Sequence, residues 1–159
     1  MFTIRPVEEQ DREAILTISE EVGVFTPEEI TCVDELLQVY LYKPKQQDYT
    51  FVGAYDQTGR LLGYICFGPT PLTVGTYDIY WIAVSKAAQR QGAGQALLDW
   101  TEKHLRAAGA RLLILETSST PEYRPARRFY KRMGYTRSAR VPDFYCPGDD
   151  LIVFYKKLS

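Results

Sequence analysis

Thr76-Tyr77-Asp78-Ile79-Tyr80-Trp81-Ile82-Ala83-Val84-Ser85-Lys86-Ala87-Ala88-Gln89-Arg90-Gln91-Gly92-Ala93-Gly94-Gln95-Ala96 is the stretch whose reading decides the fold. Its first half, Tyr77 to Val84, is β-branched and aromatic, the composition of a buried strand. Gln89 to Gly94 is a loop of small residues with glycines at 92 and 94. Helical spacing follows at once in Ala96, Leu97, Leu98, Trp100, Thr101, Leu105 and Ala108, and Gly109 stops it. Strand, glycine loop and helix in that order turn free backbone N–H groups toward an anionic ligand.

Working outward, Arg111 to Thr117 contains the run Leu-Leu-Ile-Leu and predicts an interior strand covered on both faces. A helix between two strands predicts a right-handed crossover, so the strands at 77–84 and 112–117 are expected to be parallel neighbours. Upstream, Tyr49–Tyr55 and Leu61–Phe67 read as two strands of a hairpin around Asp56–Arg60, with Gly68-Pro69-Thr70-Pro71 ending the second. Phe2 to Arg5 reads as a first strand. Two helices follow it, one on Ala14, Ile15, Ile18 and Val22 closed by Gly23, the other opened by Thr26-Pro27-Glu28-Glu29. Thr26 is the cap, Pro27 takes the first helical position and Glu29 stands where a capping box needs its carboxylate. Downstream come a helix from Pro125 or Ala126 to Met133, a strand at Tyr135–Val141, a loop at Pro142–Gly148 and a last strand at Leu151–Lys157. The expected order is β-α-α-β-β-β-α-β-α-β-β.

The totals bound the function. A chain of 159 residues fits one domain, 1–159, long enough to bury a core. A net charge of −1 offers no cationic surplus for nucleic acid, although the cations from Arg124 to Arg140 form a local positive run that could attract a phosphorylated ligand. Three cysteines without close spacing argue against disulfides and zinc, and a single histidine, His104, rules out a His-rich metal site; no metal is expected. The N-terminus lacks a signal-peptide core and no apolar run is long enough to span a bilayer, so no membrane partner and a cytoplasmic location are expected.

Two familiar glycine loops do not match. Leu97 stands where a dinucleotide fold needs its third glycine, and no Lys-Ser or Lys-Thr follows Gly94 as a P-loop requires. The combination of Gln89-x-x-Gly92-x-Gly94 after Ile82-Ala83-Val84 with Ala126-x-x-Phe129-Tyr130-x-x-x-Gly134-Tyr135 resembles the GNAT family of acetyl-coenzyme A-dependent N-acetyltransferases. The motif resemblance spans Tyr77 to Tyr135, and the N-terminal half is similar in layout alone.

The resemblance implies an acyl-CoA N-acyltransferase fold: α/β, with a mixed, mostly antiparallel sheet of about seven strands splayed at a cofactor cleft and helices on both faces. It implies acetyl-CoA as acyl donor. Backbone groups of Ile82, Ala83 and Val84 would pair with the pantetheine arm. Gln89, Arg90, Gln91, Gly92, Ala93 and Gly94 would surround the diphosphate, and Ala126, Phe129 and Tyr130 would complete the coenzyme site. Tyr130 matches the family tyrosine that protonates the leaving thiolate; as a residue it also reads as a core aromatic beside Phe129.

Two carboxylates are candidate bases. Asp78 lies where some members place one, and it reads equally as a strand-entrance cap. Glu116 closes an apolar strand, where burial would raise its pKa, and it reads also as an ion-pair partner of an arginine. Phe25, Tyr80 and Tyr145 are the acceptor-side candidates, Tyr145 in an aromatic and acidic loop suited to a cationic amine. Tyr123 departs from the asparagine that many members carry. The implied acceptor is a small-molecule amine or a peptide N-terminus, and the family's habit of pairing through its last strands admits a homodimer. The alternative is a non-catalytic acyl-CoA-binding sensor.

Overall fold

The computed structural model describes residues 1–159, in which a seven-stranded sheet carries four α-helices. The chain runs β1 (Thr3–Pro6), α1 (Arg12–Glu21), α2 (Pro27–Tyr42), β2 (Thr50–Tyr55), β3 (Leu61–Pro69), β4 (Thr76–Val84), α3 (Ala93–Ala107), β5 (Leu112–Ser118), α4 (Arg124–Arg132), β6 (Thr136–Cys146) and β7 (Asp149–Lys157). The strand order is β1-β2-β3-β4-β5-β7-β6, antiparallel throughout except where β4 lies parallel to β5. A parallel pair needs a long crossover, and α3 supplies it.

Local chemistry explains most boundaries. Thr26 accepts a hydrogen bond from the Glu29 N–H while the Glu29 carboxylate accepts one from the Thr26 N–H, a reciprocal cap on α2 behind Pro27. Two boundaries differ from the sequence reading. β3 does not stop at Gly68, because Gly68 and Pro69 still align with Asp78 and Tyr77. The expected loop at Pro142–Gly148 is mostly strand: β6 continues to Cys146 through an irregularity between Val141 and Cys146, with Asp143 at a φ of 53°. Only Pro147 and Gly148 make the turn. A bulge lets proline and an αL residue remain within an edge strand, which is why composition alone suggested a loop there.

Each face of the sheet has its own core. Ile15 and Ile18 of α1 and Val33 and Leu37 of α2 pack with Phe51, Tyr64 and Cys66 on one face. Leu97, Leu98 and Leu105 of α3 and Tyr130 of α4 pack with Ile65, Leu113, Leu115, Ile152 and Phe154 on the other. β3, sandwiched between both, is buried at seven of its nine positions and so lost the alternation of a one-sided strand.

Glu102 of α3, buried to 3 % exposure, ties this second face together. It pairs with Lys156 of β7 at 2.7 Å and with Arg106 at 3.5 Å, and it accepts a hydrogen bond from the Tyr135 hydroxyl at 3.1 Å. Lys156 also donates to the Met133 carbonyl. Removing Lys156 would leave the buried carboxylate with only the longer contact to the half-exposed Arg106, a loss of up to about 3–5 kcal/mol.

Burial holds the Tyr64, Tyr130 and Tyr135 phenols well above the ordinary tyrosine range. Below the unfolded-chain value of about 10 both states are neutral, and above it only the unfolded chain ionises, so this stability is lost as pH rises. Thermal melts are therefore expected to shift down between pH 8 and pH 11. The shift should be smaller in Tyr64→Phe, and an equal shift in that variant would assign the alkaline loss elsewhere.

Candidate active site

The cleft begins where β4 and β5 part. They are paired from Thr76 with Leu112 to Ile79 with Leu115 and no further. Beyond that point β5 stays with β7 from Glu116 with Val153 to Ser118 with Leu151, while β4 stays with β3 as far as Val84 with Gly63. Tyr80 is the turning point. Phe67 aligns with Ile79 and Cys66 with Trp81, so Tyr80 is the extra residue of a bulge. The bulge resets the alternation: Ile79, Ile82 and Val84 join the core under α3, whereas Tyr80, Trp81 and Ala83 join the core under α1 and α2. The edge of β4 from Tyr80 to Val84 has no strand partner on the β5 side.

The loop after β4 ends in six consecutive amides, Arg90 to Gln95, that donate no hydrogen bond within the protein; the first helical bond of α3 runs from Ala96 to the Gly92 carbonyl. No side chain caps this helix. Gly92 serves as its N-terminal residue in the left-handed region, φ 91°, and Arg90 before it has φ 63°. Alternating right- and left-handed residues turn successive N–H groups toward one point, a concavity fit for an anion. The Gln89 and Gln91 side chains brace the loop from within by donating to the Val84 and Ala87 carbonyls. A Cβ on Gly94 would lie 3.4 Å from the Phe129 ring, which brings α4 against the start of α3. Ala126 and Phe129 pack half-buried against the same core.

Tyr130 is 7 % exposed between the rings of Phe129, Tyr135 and Phe154. Its hydroxyl makes no hydrogen bond within the protein, yet it is not sealed from solvent as the unpartnered Ser85 Oγ is. Burial pushes its pKa up, so it holds its proton at neutral pH.

The two candidate bases stand differently. Asp78 is half-buried and accepts a hydrogen bond from Thr70 Oγ1 at 2.6 Å. Glu116 is exposed, not buried as its apolar strand suggested, because α1 and α2 stop short of β5 and leave this end of its face open. It forms neither a hydrogen bond nor the ion pair to an arginine that the sequence allowed, as none of the five ion pairs includes it.

The acceptor-side candidates fall into two groups. Phe25, in the α1–α2 connection, meets Trp81 edge-on at 5.3 Å, and Tyr80 meets Tyr49 at 5.5 Å, with burial first and then Asp78 pushing the Tyr80 pKa up to about 12. Tyr145, now in β6, has its pKa pushed up to about 12 by burial first, then by Glu116, Asp149 and Glu29. Sequence reasoning did not bring Tyr123 and Glu29 to this side of the molecule. The Tyr123 hydroxyl donates to the Val24 carbonyl at 3.3 Å, joining the turn before α4 to the α1–α2 connection. Burial, then Glu29, Tyr145, Asp149 and Tyr130 raise its pKa. Glu29 looked fully occupied by its helix cap. Trp81, in an apolar strand, is half-buried beside Phe25.

The sequence profile of the acetyltransferase (GNAT) family matches residues 16–135. The chain belongs to the GNAT acetyltransferase family. A GNAT-family protein of Desulfovibrio desulfuricans superimposes over all of both chains with a TM-score of 0.95 and 40 % identity. An uncharacterized N-acetyltransferase of Methanocaldococcus jannaschii is 35 % identical over 100 residues, 62 % of this chain, and the match spans 61 % of that protein's length. A Salmonella typhimurium protein solved with its cofactor acetyl-CoA shares the fold, with a TM-score of 0.72 and 20 % identity over 100 % of this chain and 95 % of that one. The acyl-CoA N-acyltransferase fold, expected from the motif resemblance, is thus the fold of this GNAT chain. No helix is long and apolar enough to cross a membrane, and no three His, Cys, Asp or Glu side chains cluster as metal ligands.

Because Gly92 has a positive φ, Gly92→Ala is expected to cost about 1–2 kcal/mol in urea unfolding even though its Cβ would meet nothing closer than 3.8 Å. An unchanged midpoint would mean that the loop relaxes out of the left-handed region.

Proposed function

We propose that this chain is an acetyl-CoA-dependent N-acetyltransferase that moves an acetyl group to a primary amine by direct attack in a ternary complex. The observation that carries the reading is the junction of six undonated amides, Arg90 to Gln95, with the unpartnered edge of β4 from Tyr80 to Val84. The amides fit a diphosphate and the open edge fits an extended arm that adds like a strand. Acetyl-CoA and CoA accompany fold relatives in their crystals, which supports the same donor here.

In this reading the backbone of Ile82, Ala83 and Val84 holds the arm, and Gln89 to Gly94 hold the diphosphate. Ala126 and Phe129 close the wall on the α4 side. The thioester supplies an activated acyl carbon and a thiolate leaving group. An amine near neutral pH is mostly ammonium and must lose a proton before its lone pair can attack. Glu116, with no internal partner, takes that proton directly or through water; Asp78, already bonded to Thr70, is the second candidate. As the C–N bond forms the C–S bond breaks, the nitrogen's second proton passes to water, and Tyr130 gives its phenolic proton to the departing sulfur. Solvent returns that proton to Tyr130, so the net products are the N-acetyl amine, the free thiol and one proton. Phe25, Tyr80 and Tyr145 line the acceptor side.

Tyr130→Phe is the decisive variant, since it removes one oxygen that no protein group uses. Turnover, followed by thiol release, should fall about 100-fold or more, with the acetyl-CoA Kd within about twofold of the parent. Undiminished turnover would take Tyr130 out of the mechanism. Tight acetyl-CoA binding without thiol release across a broad amine panel would instead favour a non-catalytic sensor.

A further inference from the structure

The α1–α2 connection, Val22 to Thr26, is held sideways by very little. The hydrogen bonds of Val22, Gly23 and Thr26 all run to α1 or α2. One hydrogen bond alone leaves the connection for the rest of the molecule, and it joins the Tyr123 hydroxyl to the Val24 carbonyl at 3.3 Å. The next residue, Phe25, sets its ring edge-on to Trp81. Trp81 lies on β4 beyond the point where that strand leaves β5, and Tyr123 follows the end of β5. The connection therefore touches both arms of the divided sheet.

The Tyr123 end of this tie is firmly built. Arg127 donates to the Ser118 and Thr120 carbonyls at 2.7 and 2.8 Å, the Tyr123 N–H donates to the Thr120 carbonyl, and the Thr120 N–H donates to Ser118 Oγ. Ser119 and Asp150 exchange two further bonds that fasten the same turn to β7. Tyr123 is also the residue at which α4 begins, seven positions before Tyr130 and so on the same helix face about 10 Å away. α1 and α2 pack on one face of the sheet and α4 on the other, so the bond to Val24 crosses between the faces past the end of β5. The asparagine that many family members carry in place of Tyr123 would be too short for this reach.

We propose, on the transferase reading, that Tyr123 is a positioning residue for the acceptor: its hydroxyl holds Val24, and through it Phe25 against Trp81, in register with the helix that carries Tyr130. Phe25 and Trp81 stand on the α1–α2 face beside the open edge of β4, the side from which an amine comes to a thioester lying along that edge. Tyr130 serves the departing sulfur from the other face. Attack needs the incoming nitrogen and the departing sulfur in line, and a misplacement of about 1 Å costs about 100-fold in rate. The wall that guides the nitrogen and the helix that guides the proton belong to different faces. The bond at Val24 is what aligns one with the other.

The test is Tyr123→Phe in the full chain, which removes the hydroxyl and keeps the ring. Its first readout needs no substrate. The chain has two tryptophans, and Trp100 stacks on His104 of α3, so a Trp100→Phe background leaves Trp81 as the sole emitter. Quenching of Trp81 by acrylamide should rise at least about 1.5-fold in Tyr123→Phe as the ring pair opens. The second readout is thiol release at saturating acetyl-CoA with n-butylamine, benzylamine, 1,4-diaminobutane and an alanine-led hexapeptide. For the best of these the KM should rise at least about fivefold, with the acetyl-CoA Kd within about twofold and the melting temperature retained. Equal quenching, an unchanged acceptor KM, or a matching rise in the acetyl-CoA Kd would overturn the positioning role while leaving the transferase reading in place. No thiol release by the parent chain with any of the four would overturn the transferase reading and the positioning role together.

Discussion

The structure depends on a constraint on pairing: β4 cannot serve two neighbours beyond Ile79. Its bulge at Tyr80 keeps it with β3, and the antiparallel ladder from Leu112 to Ser118 keeps β5 with β7. A sheet interior rarely leaves backbone groups unmatched, because an unpaired buried amide or carbonyl is costly. An edge in the middle of a sheet is stable only when water or a ligand with its own donors and acceptors fills it. The glycine loop, the start of α3 and the buried Tyr130 are arranged around that opening.

The two cores explain how the opening survives. α1 and α2 cover the β2–β4 half of one face and stop short of β5, so Glu116 faces solvent while Leu113 and Leu115 on the same strand are sealed from it on the other face. The uneven cover leaves room for an acceptor on the side opposite the one where α3 and α4 pack. It also puts the glycine loop before α3 and the exposed Glu116 on different elements, so that a change in one segment need not disturb the other.

Much of this was legible in the sequence because it is written in short-range chemistry. The cap at Thr26-Pro27-Glu29, the stop at Gly23, the crossover from β4 through α3 to β5 and the glycine loop each depend on neighbours within a few positions. The bulge at Tyr80 was not legible, since Ile79-Tyr80-Trp81-Ile82 reads as a uniform strand and the extra residue shows only against β3. Glu116 misled because an apolar run implies burial on both faces, whereas the covering helices end early. Tyr123 and Glu29 escaped notice for a different reason: their meeting spans almost a hundred positions through Val24. A tyrosine before an arginine-rich helix and a glutamate in a cap give no hint of each other. The departure of Tyr123 from the common asparagine is the one available signal, and it bears on the coenzyme contacts at the start of α4 and on the acceptor specificity alike.

The Glu102 cluster has a mechanical consequence. It binds α3, which lies over β2 to β4, to Lys156 on β7 and to Tyr135 after α4, so it bridges the two halves of the sheet across the line where they diverge. Swinging those halves apart like a hinge would strip a buried carboxylate of its partners. The jaw is therefore stiff, and whatever occupies it must slide in lengthwise between fixed walls rather than wait for them to open.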